Sequence, residues 1–227
     1  MAFGLDVDVS MLATDFEAYY EPRIKAAVKR LGGVYVERLA RRLRRGLLTY
    51  REIEEEMKIN PNDFWPCYNG LHNVGERIKC TTVYPDTLPF LERASLEGYV
   101  LFAITAAPSN ITQTILEHFG ILRYVPVVIN AGHDGVPPKT NPRAFSYAIR
   151  KLWNNGATDI NPINCIYIGD TPNDKLMAES GGAYFVLIER EGEDHEVCDW
   201  DCMPRKPIKT LEDVWGLDVI KNGVFTL

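Results

Sequence analysis

Residues 100–104, 125–129, 165–168 and 184–188 are short apolar runs, each separated from the next by a stretch of helical character. A strand that is apolar throughout buries both faces, and strands joined through helices run parallel with right-handed crossovers. The alternation therefore predicts an α/β chain: a parallel sheet covered by helices on both faces. The punctuation agrees, with Asp86 placed to cap a helix to about Glu97 and Gly98 to end it. Ser109 or Asn110 opens a helix closed by Gly120, and Asn141-Pro142 opens another that runs through Trp153. A helix around residues 175–180 separates the last two runs, and Thr210 to Trp215 reads as a short closing helix.

Between Ser10 and about Val83 no alternation of the strand type is visible, and the block reads as all-helical. Thr14 with Glu17 and Thr49 with Glu52 have capping-box spacing, Pro22 restarts or kinks the first helix, and Asn60-Pro61 is an N-cap followed by Pro at the first helical position. Arg38, Arg41, Arg42, Arg44 and Arg45 crowd one short helix, which reads as a solvated face. Phe64, Trp65 and Tyr68 cluster at helical spacing and read as core. A length of 227 residues suits one core plus an insertion better than two full domains. The expected organisation is an α/β core of residues 1–10 and 84–227, with a helical insertion over 11–83.

At the N-terminus, Phe3-Gly4-Leu5 runs into Asp6-Val7-Asp8-Val9-Ser10. Alternation along an extended segment turns Asp6 and Asp8 to the same side, where a cation, a proton or a ligand must relieve their repulsion. Alone, such a pair also describes an edge strand with a wet face. In an open parallel sheet, however, ligands bind beyond the carboxyl ends of the strands. Asp6, Thr105 and Asp170 fall at such ends, Asp174 follows closely, and Lys139 precedes a helix, so distant residues converge on one crevice. These carboxylates face one lysine, which makes a divalent cation with oxygen ligands close to obligatory, and Mg²⁺ suits that donor set.

The acid pair, the strand-end Thr105, Lys139 in Pro-Pro-Lys-Thr-Asn-Pro, and Gly169-Asp170-Thr171-Pro172-Asn173-Asp174 resemble, in this order, the motifs of the haloacid dehalogenase (HAD) superfamily. The resemblance extends from about Phe3 to Ile188. It implies a Rossmann-like core, with the insertion as a C1 cap, a helical lid over the site. It also implies an aspartyl-phosphate intermediate on Asp6, with Asp8 as general acid and base. Thr105, the backbone at Ala106 and Lys139 would bind the phosphate oxygens. Mg²⁺ would be held by the side chains of Asp6 and Asp170 and the backbone carbonyl of Asp8, with Asp174 and Ser10 in support. The expected activity is Mg²⁺-dependent hydrolysis of a small phosphorylated metabolite. A phosphomutase or phosphotransferase, or a weakly active phospho-acceptor module, shares these motifs. Val9 stands where many members have Gly, Ser10 where Thr is common and Thr140 where Pro is frequent, and Val9 stiffens the turn. In the lid, Tyr19 and Tyr20 are the candidates for substrate selection, because they closely follow the nucleophile strand.

A net charge of −6 disfavours nucleic acid and anionic membranes as partners, and no stretch approaches a membrane span. The absence of a CxxC pair and of a basic-then-apolar leader points to a reducing, cytoplasmic setting, as monomer or homodimer. His195, Cys198 and Cys202 are spaced like part of a metal knuckle without an evident fourth ligand.

Overall fold

The computed structural model describes residues 1–191 and 207–222; His195, Cys198 and Cys202 lie outside the described residues. The described residues divide into two compact units, a helical one formed by Thr14–Thr82 and an α/β one formed by residues 1–13 and those from Val83 onward.

The strands are β1 (Ala2–Leu5), β2 (Leu12–Thr14), β3 (Thr81–Val83), β4 (Val100–Thr105), β5 (Val127–Asn130), β6 (Cys165–Gly169) and β7 (Tyr184–Leu187). Five of them form one sheet in the order β5-β4-β1-β6-β7, with parallel pairing throughout. The N-terminal strand is thus the central one, with Leu5 opposite both Ala103 and Ile168. That register brings the carboxyl ends of β1, β4 and β6 to one edge. The run expected at 125–129 forms a strand from Val127 because Pro126 has no N–H to give to the ladder.

The helices are α1 (Glu21–Arg30), α2 (Glu37–Arg44), α3 (Tyr50–Met57), α4 (Pro61–Asn69), α5 (Val74–Lys79), α6 (Thr87–Leu96), α7 (Ser109–His118), α8 (Arg143–Asn154), α9 (Pro172–Ser180) and the short α10 (Asp218–Asn222). Phe3 on one face of β1 meets Phe90 of α6 and Trp215 of a closing 3₁₀ turn, with ring centroids 5.3 and 5.7 Å away. On the opposite face Ala2, Phe102, Phe145 and Tyr167 share a buried cluster with α8 and α9. Gly4 belongs to that second face. A Cβ there would lie 2.5 Å from Phe102 and 2.7 Å from Tyr167, so the central strand can pass over these rings only as glycine.

Two caps differ from expectation. Asp86 has a helical backbone and makes no side-chain cap bond; its Oδ2 instead accepts from Arg190 Nη1 at 2.7 Å and from the Leu211 N–H at 2.5 Å. Thr14 lies in β2, and its neighbour Asp15 accepts from the Ala18 N–H to start a π-helical turn, Phe16–Tyr20. Pro22 then sits in the first turn of α1, as a restart requires.

The helical unit also carries strand pieces that the all-helical reading missed: β2 pairs with β3, and Thr14 Oγ1 meets Thr81 Oγ1 at 2.9 Å. Its core gathers Tyr19, Tyr20, Ile24, Leu43, Phe64 and Tyr68, with Trp65 packed against it. Tyr19 and Tyr20 therefore correct the expectation that they face substrate. Both rings are buried in this cluster, and the Tyr19 hydroxyl is held by His72 Nδ1 at 2.8 Å. Proximity to β1 in sequence does not decide which way a helical side chain turns. The arginines of α2 meet acids within the unit, Arg38 with Glu56, Arg41 with Glu17 and Arg42 with Glu52.

Candidate active site

The site lies entirely in the α/β unit, at the carboxyl edge of its sheet. The backbone N–H of Asp6 donates to the Ile168 carbonyl at 2.9 Å, which extends the ladder by one residue and fixes the carboxylate against β6. Asp170 follows β6 directly and is buried; Thr105 ends β4 and is buried as well. Lys139 comes from the segment between β5 and α8, turned by the Asn141 N–H bond to the Pro138 carbonyl at 2.9 Å. Its Nζ bridges Asp6 Oδ1 at 2.6 Å and Asp174 Oδ1 at 2.7 Å.

Asp174 is placed by a device that the GDxxxD spacing alone did not reveal. α9 begins at Pro172, earlier than expected, behind a capping box in which Thr171 and Asp174 bond each other's backbone N–H. The Thr171 hydroxyl also donates to Asp174 Oδ2 at 2.6 Å. Oδ1 takes Lys139 and faces the Tyr167 hydroxyl at 3.4 Å, and that hydroxyl donates to the Ile104 carbonyl at 2.9 Å. Thr171 and Tyr167 thus join the site. The Thr-x-x-Asp spacing was the available signal for the first; a tyrosine inside an apolar strand gave none for the second. Gly169 is required here too, since a Cβ would lie 2.6 Å from that of Asp174.

Carboxylate oxygens of Asp6, Asp170 and Asp174, all three buried, lie within 4.8 Å of one another. Burial, together with Asp174 and Asp170, raises the pKa of Asp6 well above the ordinary carboxylate range, against the opposing pull of Lys139. Burial works against the Lys139 charge, but the Asp174 and Asp6 carboxylates outweigh it and hold its pKa above the usual lysine value. One ammonium does not neutralise three buried carboxylates. An all-oxygen donor set of this kind fits a hard divalent cation. Both Asp174 oxygens are engaged by Lys139 and Thr171, so Asp6 and Asp170 are the side chains able to hold it.

The loop after β1 carries the half-buried Asp8 and then Val9, whose φ of 66° lies in the left-handed region. For a β-branched residue this costs roughly 1–2 kcal/mol. The conformation is held by bonds from Val9 N–H to the Leu12 carbonyl at 2.8 Å and from Met11 and Leu12 N–H to the Val7 carbonyl at 3.1 and 3.0 Å. The Ser10 hydroxyl, expected to support the site, is buried with no hydrogen-bond partner among the described residues. Beyond β4, Ala106 is exposed, and its carbonyl lies 3.0 Å from His133 Nε2. Asn130 Nδ2 donates to the Ala107 carbonyl at 2.8 Å and so pins the same loop.

The family profile described as haloacid dehalogenase-like hydrolase matches residues 8–182, most of the chain. The chain belongs to that family. Among curated relatives of this HAD chain, the phosphoglycolate phosphatase of Vibrio vulnificus strain CMCP6 is 25% identical over 145 residues, 63% of this chain and 58% of the relative. That of Vibrio cholerae is 24% identical over 178 residues, covering 78% of this chain and 72% of the relative. The chain thus spans little more than half the length of the Vibrio vulnificus relative. A crystal structure of a HAD phosphatase from Thermococcus onnurineus superposes with a TM-score of 0.61 at 25% identity, over 95% of this chain and 96% of that one. Among the described residues no helix is long and apolar enough to cross a membrane.

Proposed function

We propose that this HAD chain is a Mg²⁺-dependent phosphatase that hydrolyses a small phosphorylated metabolite through an aspartyl-phosphate on Asp6. The observation that carries the reading is the Lys139 bridge between Asp6 and Asp174 inside a buried, carboxylate-rich edge. A buried cluster with excess negative charge is costly unless a cation and a ligand complete it. Mg²⁺ bound by Asp6, Asp170 and the Asp8 carbonyl would offset charge on the carboxylates and on the phosphate oxygens.

In the protein's own chemistry, the Asp6 carboxylate attacks phosphorus in line, forming a P–O bond as the bond to the leaving oxygen breaks. Asp8 gives its proton to that leaving oxygen, then takes one from the water that hydrolyses the acyl phosphate and regenerates Asp6. Lys139, the Thr105 hydroxyl and backbone N–H groups near Ala106 hold the equatorial oxygens. The helical unit would serve as the cap, excluding bulk water from this chemistry.

The names of the Vibrio relatives make phosphoglycolate the first substrate to assay, beside a panel of sugar phosphates and nucleotides. Expected are phosphate release that stops in chelator and resumes with Mg²⁺, and trapping of label on Asp6. Formation of an isomerised sugar phosphate without phosphate release would instead identify a mutase. Full turnover in chelator would refute the cation dependence.

A further inference from the structure

Arg190 has no role in the chemistry above, yet it is 4% exposed and gathers contacts from segments far apart in sequence. It stands just beyond β7, on backbone fixed by the Glu189 N–H bond to the Ile208 carbonyl and the Ile208 N–H bond to the Leu187 carbonyl, both 2.9 Å. Its Nη2 donates to the Ser10 carbonyl at 2.6 Å and its Nη1 to Asp86 Oδ2 at 2.7 Å and the Lys209 carbonyl at 3.3 Å. The guanidinium lies over the Tyr84 ring, 4.2 Å from its centroid. Ser10 closes the loop that carries Asp8 and Val9. Tyr84 and Asp86 stand where the chain has just re-entered the α/β unit.

A left-handed Val9 persists only if its surroundings over-determine it. The neighbouring Met11 carbonyl is held by the Thr87 hydroxyl at 3.0 Å and the Tyr84 N–H at 3.2 Å. Arg190 is the charged donor of this set, and a buried charge-assisted bond is the stronger kind. We propose that Arg190 is a positioning residue that holds the Asp6–Ser10 loop in its strained conformation, and through it the aim of Asp8. Without the bond to the Ser10 carbonyl, Val9 can relax toward negative φ, which re-aims the Asp8 that precedes it.

The functional half of this inference rests on the phosphatase reading, whereas the loop anchoring does not, so both are measured. Amide hydrogen exchange and steady-state kinetics on p-nitrophenyl phosphate with Mg²⁺ are compared for the parent, Arg190→Met, Arg190→Lys and Arg190→Met with Val9→Gly. In Arg190→Met the Val9, Met11 and Leu12 amides should exchange at least about tenfold faster while β6 amides keep their protection. The kcat should fall at least about tenfold with KM changed less than about twofold, because the loss is one of aim. Val9→Gly should recover most of the lost kcat, since glycine holds φ of 66° without strain. A generic loss of packing would not be rescued this way. Arg190→Lys keeps a cation beside Asp86 and carries the same comparison if Arg190→Met does not fold; a single ammonium spans the Ser10 and Asp86 contacts poorly.

Unchanged loop exchange, or acceleration spread equally over β1 and β6, overturns the anchoring. Faster loop exchange with unchanged kcat, or no rescue by Val9→Gly, overturns the positioning of Asp8. If the parent hydrolyses no phosphate ester, the phosphatase reading fails, and the exchange data alone decide whether Arg190 anchors the loop.

Discussion

Arg38, Arg41 and Arg42 of the helical unit each stand against a glutamate, with side chains 67%, 38% and 35% exposed. In the α/β unit Asp6, Asp170 and Asp174 are buried together, with Asp6 and Asp174 on the ammonium of Lys139, itself 9% exposed. Matched charges in solvent contribute little and cost little. Unmatched charges away from water are sustained by the rest of the fold, which is why they point to a ligand. The same residue types that mark a stable surface in one unit thus mark a prepared site in the other.

The strongest way to break this comparison is Asp6→Asn. Turnover should fall by roughly 10⁴-fold or more and phosphoenzyme should vanish, because the amide cannot attack. Metal-free stability should be kept or raised, as one of the clustered carboxylates is gone while the Lys139 contact can persist. A thermal midpoint lowered by several degrees would show that Asp6 is held for structure.

Lys139→Met should cost about 3–5 kcal/mol, since it leaves Asp6 and Asp174 buried without their cation. Arg38→Met, at a pair of the other kind, should cost no more than about 1 kcal/mol. Equal losses in denaturant titrations of the two variants would erase the distinction.

Cation removal is the next largest effect. Because the folded pKa of Asp6 is raised, the folded form binds a proton that the unfolded form has released. Metal-free stability should therefore fall as pH rises from the unfolded carboxylate value near 3.9 through the raised one. A cation that takes the proton's place should stabilise more at the upper end of that window, by about 2.7 kcal/mol when present at a hundred times its Kd. A Mg²⁺-induced shift in the thermal midpoint that is largest at the acid end would contradict the assignment.

Tyr19→Phe should lower stability by about 1 kcal/mol through the lost bond to His72, and activity on phosphoglycolate and on p-nitrophenyl phosphate should change alike. Selective loss on one substrate would restore a recognition role to this tyrosine. The smallest effect is expected for Val9→Gly. Relief of the left-handed backbone, roughly 1–2 kcal/mol, nearly offsets the lost burial of the side chain, about 1.5 kcal/mol, so the net change in midpoint should be slight.

What could be read from the sequence follows from the same contrast. The sheet was legible because fully buried parallel strands leave uninterrupted apolar runs, and the meeting of Asp6, Asp170, Asp174 and Lys139 was legible because strand ends share one edge. Tyr19 and Tyr20 misled because helical direction, and not distance along the chain, decides what a ring faces. Asp86 does stand at the N-cap position of α6, but its carboxylate bonds Arg190, 104 residues away, and not the helix, a choice invisible in sequence because a cap and an ion pair demand the same residue type. Arg190 left no trace in sequence, as an arginine after a strand is ordinarily a solvated one.

The central place of β1 has a consequence for how the molecule comes into being. Ala2 pairs with Val100 on one side and with Cys165 on the other, so β1 gains its first neighbour only when β4 has been made and its second only when β6 has. The span Thr14–Thr82 forms a compact unit of its own and has been made before either neighbour of β1. Pairings so distant in sequence carry a high contact order and form late. During synthesis Asp6 is made long before Asp170 and Asp174, so the carboxylate cluster assembles only after β6 and the start of α9 have followed it.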